Sequence, residues 1–371
     1  MRFSTLVLKN LVRQRVRTLL TILGIGVGIT TVVALGAITG GLKAMASDLM
    51  RVGGADFMVA QKGASDLSFS TVSEAEERAV RETPGVEQTL GVLLHYSRVG
   101  SNPFFVTFGV RAEELRASPP ALVEGRLLAA GAPREALLGS DASTRLAATV
   151  GGTVTIEETD FRVVGIYRTG SVAEDGGAYA PLDTVQRLAR KRDAVTAVYV
   201  TAEPGADAAA LAGRIEEENP ELTSVSTLGD YGDVDQGMKF LDAGNVAISV
   251  LAVLLGGIGV MNTMIMSVFE RTREIGILRA VGWSGRRIVR MVLGESLLLC
   301  LVAGVLGLGL GWLAAQAVAQ IPSVESFLRP EFSSELVLRA LLVAVGVALA
   351  GAAYPAVRAV RLLPVEALRH E

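Results

Sequence analysis

The sequence predicts a membrane protein with four transmembrane α-helices, a large extracytoplasmic α/β domain of mixed α+β pattern between the first and second helices, and both termini in the cytoplasm. Three observations carry this. Half of the 371 residues are hydrophobic, above the average for a soluble domain, and they gather at the two ends of the chain. Four of the apolar runs have about 20 residues, enough helix to cross roughly 30 Å of hydrocarbon. Arginines flank these runs on one side: Arg13, Arg15 and Arg17 before the first, Arg271, Arg273 and Arg279 after the second, and Arg358, Arg361 and Arg369 after the fourth. The positive-inside rule puts all three groups in the cytoplasm.

Residues 1–18 are amphipathic and basic, with Leu8, Leu11 and Val12 on one face and Lys9, Arg13 and Arg17 on another. A cytoplasmic interfacial helix and a plain positive flank both fit. Residues 19–40 form the first transmembrane helix, too long an apolar run for a signal peptide. Gly24 with Gly28, and Gly36 with Gly40, have the small-xxx-small spacing of close helix packing. Residues 41–242 form the extracytoplasmic domain and its stalk. Residues 243–267 form the second transmembrane helix, whose Asn262 is expected to bond to a neighbouring helix. Residues 268–290 are a cytoplasmic helix and loop.

The third transmembrane helix covers 291–320. Its Glu295 lies near the cytoplasmic end, placed to snorkel or to pair with Arg290, with a proton-carrying role as the alternative. Gly304, Gly307 and Gly311 line one side of it. Residues 321–335 are a short outer loop. Residues 336–355 form the fourth transmembrane helix, expected to break at Tyr354-Pro355, and 356–371 form a cytoplasmic tail.

Inside 41–242 the pattern alternates. Strands are predicted at Ala55–Ala60, Val86–Val99, Phe104–Val110, Glu135–Gly139, Thr153–Ile156, Phe161–Ile166, Val195–Thr201 and Thr223–Thr227. Ser73 caps a helix with Glu74, Glu76 and Glu77 in its first turns, ended by Pro84-Gly85, and Asp207–Glu218 is a second helix. Gly229 to Leu241 is read as a helical extension of the second span.

The stretch that organises the chain is Ser267 to Trp283, SVFERTREIGILRAVGW. Ile275, Leu278, Val281 and Gly282 follow helical spacing, and Glu270, Arg271, Arg273, Glu274 and Arg279 cover the rest. One arginine at the bilayer centre costs about 2.5–3.5 kcal/mol, so this cluster lies at or outside a membrane face. A solvated, positive anchor loop and a short helix presented to another protein both satisfy that constraint.

Several functions are disfavoured. Cys300 is the lone cysteine, and His95 and His370 lack ligand spacing, so no metal site is expected. The net charge of −3 suggests no nucleic-acid partner. No GxxxxGK[ST] loop and no nucleophile–base pair occurs, so no ATP site of its own and no enzymatic activity are expected.

Three segments carry a resemblance. VLLGGIGVMNTMIMSVFERTREIGILRAVGW (Val253–Trp283), the tail YPAVRAVRLLPVEALRHE (Tyr354–Glu371) and the opening NLVRQRVRTLLTILGIGVG (Asn10–Gly28) resemble FtsX/MacB-type ABC transporter permeases. Residues 41–242, with VEGRLL, FRVVGIY and AYAPLDTVQRL, are similar to a MacB-like periplasmic core domain. The resemblance implies a multi-pass permease of the cytoplasmic (inner) membrane. It binds no cofactor directly, and ATP and Mg are used by a MacB/LolD-type ABC ATPase dimer on a separate chain. It also implies a second permease copy, membrane lipid as surroundings and, in some members, a periplasmic adaptor.

In this family the segment after the second span is a coupling helix. By motif, Glu270, Arg271, Arg273, Glu274, Gly276, Arg279 and Gly282 form or flank the ATPase contact. The implied function is mechanotransmission for export or extraction of a lipid, lipoprotein, peptide or drug. A transmembrane sensor that controls an extracytoplasmic partner enzyme is the alternative, and a membrane-anchored enzyme is a third class.

Overall fold

The structure, a computed structural model, describes residues 15–64, 67–100, 102–227, 229–230, 236–321, 324 and 328–361. Most of the N-terminal amphipathic segment and of the closing motif lies outside them.

In chain order the elements are α1 (Arg15–Leu49), β1 (Phe57–Gln61), β2 (Val72–Ser73), α2 (Glu74–Glu82), β3 (Val86–Val99), β4 (Asn102–Val110), α3 (Ala112–Ala117), β5 (Ala121–Gly125) and β6 (Glu135–Gly139). Then come α4 (Ser140–Leu146), β7 (Thr153–Ile156), β8 (Thr159–Arg168), α5 (Val172–Asp175), β9 (Ala178–Pro181), α6 (Leu182–Ala189), β10 (Ala194–Val195), β11 (Ala197–Ala202), α7 (Ala208–Glu218) and β12 (Leu222–Val225). The chain ends with α8 (Gln236–Glu270), α9 (Thr272–Ala280), α10 (Gly285–Ala319) and α11 (Ser334–Arg361). Two compact units result: a helical one from α1 up to Gly40, α8 from Asp242, α9, α10 to Ala317 and α11, and an α/β one from 41–241 with 318–330.

In the helical unit, α1, α8, α10 and α11 are each long and apolar enough to cross a membrane. Lipid supplies no hydrophobic drive between helices, so they associate through close packing and side-chain hydrogen bonds. The predicted glycine face of α10 does this work. A Cβ on Gly307 would lie 2.8 Å from Ile29, and one on Gly311 would lie 2.6 Å from Val33. Only hydrogen at those positions lets α1 and α10 approach so closely.

Polar contacts add to the packing. Asn245 Nδ2 donates to Thr39 Oγ1 at 2.9 Å, Thr21 and Thr263 hydroxyls meet at 2.8 Å, and Ser296 Oγ donates to the Ala348 carbonyl at 3.1 Å. Asn262, expected to make such a bond, makes none among the described residues. It is exposed on the wall of a groove of about 610 Å³ lined by α1 and α8. Asn245, nearly five turns earlier, takes the interhelical role.

Two further expectations are corrected. The fourth span does not break at Tyr354-Pro355, because α11 runs unbroken to Arg361 with Pro355 inside it. Pro355 forfeits one backbone bond, but Pro355, Ala356 and Ala359 are buried in the bundle, and that packing holds the last turns helical. The residues after Gly285 are not a loop: Arg286, Arg287 and Arg290 are the first turns of α10.

In the α/β unit the strand order is β12-β1-β11-β3-β4-β9-β6-β8-β5, with β7 on β8. β4–β9 and β6–β8 are parallel and the other pairs antiparallel. The sheet is covered on both faces, and alternation divides its residues between two cores. Phe57, Val59, Val198 and Val200 face one core with Val80, Val185 and Ile215 from α2, α6 and α7. Met58, Ala60, Ala197 and Tyr199 face the other with Met45 and Leu49 at the end of α1.

The predicted helix starts hold. Ser73 and Glu76 form a reciprocal capping box, and the Asp207 side chain accepts from the amides of Ala209 and Ala210. Short elements lacking a clear local pattern, β5, β9 and α3 to α6, are additions of the structure. The predicted strand Val195–Thr201 is two strands, because the Thr196 amide donates to the Val92 carbonyl and its hydroxyl oxygen accepts from the Leu94 amide.

One buried acid stands out in this unit. Glu174 is only 4% exposed. Its Oε2 accepts from Tyr179 Oη at 2.6 Å, its carbonyl accepts from Tyr167 Oη at 2.6 Å, and Tyr199 Oη donates to the Leu49 carbonyl at 2.6 Å. Burial pushes the Glu174 carboxyl up to about 7, the charges of Asp175 and Asp48 add to the rise, and the Tyr179 hydrogen bond opposes it.

A carboxyl held above its unfolded value binds its proton more tightly when folded. The stabilisation is therefore complete below the ordinary value of 4.5 and is lost as pH rises to about 7. The full chain should lose on the order of 3 kcal/mol of stability over that window. Thermal unfolding at stepped pH checks this: Glu174→Gln should flatten the slope, and an unchanged slope would refute it.

Candidate functional site

The candidate site is the link between α8 and α10, which lies wholly within the helical unit. α8 ends at Glu270, where Thr272 Oγ1 donates to the Phe269 carbonyl at 2.8 Å and so occupies one of the open helix-end acceptors. Arg271 then leaves helical geometry at φ −109°, ψ 15°, and α9 restarts at Thr272. At its far end the Trp283 amide donates to the Leu278 carbonyl at 3.0 Å, and the Gly282 amide to that of Arg279 at 3.1 Å. With Gly282 at φ +96°, this is a Schellman stop, a backbone shape that favours glycine. Leu278 and Trp283 both pack on the bundle core, the apolar contact such a stop usually carries.

α9 therefore has two faces. Ile275 and Gly276 are buried and Leu278 half-buried. Glu270, Arg273, Glu274, Ile277, Ala280 and Val281 are exposed; within α9, steps of three and four residues put Arg273, Glu274, Ile277 and Ala280 on one stripe, with Glu270 and Val281 flanking its ends. This corrects the sequence reading at one apolar position. Val281, expected on the packed side, is 76% exposed because the helix has already ended there, and Ile277 is exposed as well. A charged stripe holding two exposed branched aliphatics has the composition of a contact surface.

The seven predicted residues divide accordingly. Arg273 and Glu274 share the exposed stripe, Glu270 flanks it, and Gly282 is exposed at its end. Gly276 is buried. Arg271 turns inward, where Nη1 meets both oxygens of Glu295 on α10 at 3.3 Å, the two side chains being 14% and 8% exposed. Glu295 thus pairs with Arg271 rather than Arg290, which is exposed and bonds to the Arg286 carbonyl at 3.4 Å.

Arg279 lies against Gly285, where a Cβ would approach its Nη1 to 3.6 Å and Val360 to 2.7 Å. Its Nε is buried without a partner among the described residues. Sequence motif alone cannot separate these inward arginines from the outward ones. The partner of Arg271 is 24 residues away and becomes visible only when α9 folds back on α10.

The Arg271–Glu295 pair is the fixed point of the site. Removing one member strands the other charge, at a typical cost of about 3–5 kcal/mol, whereas replacing both by apolar groups is often neutral. Arg271→Met and Glu295→Leu should each lower the thermal midpoint of the detergent-purified chain, and the double variant should regain most of the loss. Additive losses in that cycle would show that the two side chains do not couple.

Both parts of the chain resemble known proteins. Residues 18–218 match the model of the MacB-like periplasmic core domain, and residues 246–364 match that of the FtsX-like permease C-terminal. An uncharacterised ABC transporter permease of Methanocaldococcus jannaschii is 26% identical over 390 aligned positions, covering 99% of this chain and 97% of that one. A probable export ATP-binding/permease protein MacB of Pseudomonas entomophila is 28% identical, covering 97% of this chain but 58% of its own length. Among solved structures, the periplasmic region of MacB from Actinobacillus actinomycetemcomitans aligns at 15% identity and a TM-score of 0.37, covering 45% of this chain and 87% of that one.

Proposed function

Because this chain belongs to the MacB/FtsX-type family of ABC transporter permeases, we propose that it converts ATP hydrolysis by a separate ATPase subunit into motion of its α/β domain. The observation that carries the proposal is the exposed stripe of α9, held on the bundle by the Arg271–Glu295 pair. Glu270, Arg273, Glu274, Ile277 and Val281 offer a mixed charged and apolar surface to the ATPase. Such a surface suits a contact that forms and slides rather than one that locks. Arg271 and Arg279 act behind it. Arg271 joins the docking helix to α10 through Glu295 and Arg279 lies against Gly285 at the start of α10, so a push on α9 reaches the bundle as displacement of whole helices.

On this reading the arginine-flanked ends lie in the cytoplasm and the α/β domain lies outside the cytoplasmic membrane. ATP and Mg belong to the ATPase dimer, and two permease copies act together. The cargo is a lipid, lipoprotein, peptide or drug handled outside the membrane, with a periplasmic adaptor where the export route requires one. The spans support mechanotransmission over a polar pore. Glu295, the acid inside α10, is already neutralised by Arg271, and a conducting path needs ionisable groups free to exchange partners.

Glu274→Arg combined with Arg273→Glu reverses two charges on the exposed stripe and leaves the Arg271–Glu295 joint intact. The variant should insert normally and lose at least tenfold of its affinity for the co-expressed ATPase, about 1.4 kcal/mol. Affinity purification of the complex reads the outcome. Undiminished recovery of the ATPase would remove α9 from the interface.

A further inference from the structure

We propose that Tyr354, Arg358 and Arg361 of α11, with Phe269 of α8, form a binding site for the phosphate of an anionic phospholipid. The three α11 residues are spaced by four and three, so they share one face. That face points away from the bundle: Tyr354, Val357, Arg358 and Arg361 are exposed, while Pro355, Ala356 and Ala359 are buried. They line a hollow of about 620 Å³ with Ala353.

The arginine is held ready for an anion. The Arg358 guanidinium stands over the Phe269 ring, 5.1 Å from its centroid, and Nη1 donates to Tyr354 Oη at 3.0 Å. Stacking holds the fork in one plane, and the hydroxyl takes one of its N–H groups. The remaining N–H groups can meet two phosphate oxygens together, as a planar guanidinium does and an ammonium does not. Arg361 stands one turn further on. Among the described residues neither arginine has a carboxylate at ion-pair distance.

The surroundings identify the anion as a lipid. The hollow is bordered by exposed Phe269, Ala353 and Val357, near the end of a helix long and apolar enough to cross a membrane, a surface whose natural solvent is acyl chain. Tyr354 closes the apolar stretch, where aromatic residues settle at the membrane interface. Arg358, four residues on, is about 6 Å further along the axis, near headgroup depth. A simple positive anchor would need neither the ring beneath Arg358 nor the hydroxyl beside it. The inference stands apart from the ATPase contact and needs only that α11 spans a bilayer.

Native mass spectrometry of the detergent-purified full chain tests it, with phosphatidylglycerol and phosphatidylcholine of matched acyl chains as probes. Two arginines at headgroup depth favour a net negative headgroup, so phosphatidylglycerol should be retained about tenfold over phosphatidylcholine, about 1.4 kcal/mol. Arg358→Gln with Arg361→Gln should bring the ratio to about one. Arg358→Lys keeps the charge, loses the fork and serves if the double variant fails to fold; it should lower the ratio several-fold. Glycerol 3-phosphate at equal concentration should not displace the lipid. A wild-type ratio near one, a ratio untouched by these substitutions, or displacement by glycerol 3-phosphate would each overturn the site.

Discussion

The helical unit is arranged around one electrostatic constraint: the charges between Glu270 and Glu274 cannot enter hydrocarbon, and one of them must nevertheless face the bundle. The buried Arg271–Glu295 pair resolves it. With Arg271 neutralised inside, α9 folds back on α10, and the alternate positions Glu270, Arg273 and Glu274 are left for solvent. The Schellman stop at Gly282 then fixes how soon the chain re-enters α10. Each feature depends on the one before it. An uncompensated acid at position 295 would leave α9 without its anchor.

The rest of the bundle shows the same economy of polar groups. Glycines on α10 bring backbones together where lipid offers no drive, and single hydroxyl and amide contacts join helices that are otherwise apolar. The α/β unit is governed by water instead. Its sheet is covered on both faces, strand alternation serves two cores, and Glu174 is held among three tyrosines and their backbone contacts. One chain thus uses two packing regimes, and α1 begins in one unit and ends in the other.

What was legible in the sequence follows from range. Four spans, the glycine face of α10, the cap at Ser73, the helix from Asp207 and the long strands β3, β4 and β8 rest on local spacing, and the structure contains them. What escaped depends on partners distant in sequence. Asn245 rather than Asn262 faces a polar group on α1. Pro355 stays helical because its neighbours are packed. Arg271 and Arg279 share a motif with Arg273 yet face the opposite way. The exposure of Val281 could have been anticipated by treating Gly282 as the stop signal that ends α9 one residue before Val281.

The outward stripe of α9, and not its inward face, should meet a nucleotide-burning partner. Photo-crosslinking in cells tests it most directly, with a benzophenone amino acid placed singly at Ile277, at Leu278 on the inward side, and at lipid-facing Val305 of α10. An adduct with an ATP-binding protein should form from position 277 and none from 278 or 305. No adduct from 277, or the same adduct from all three, would contradict it.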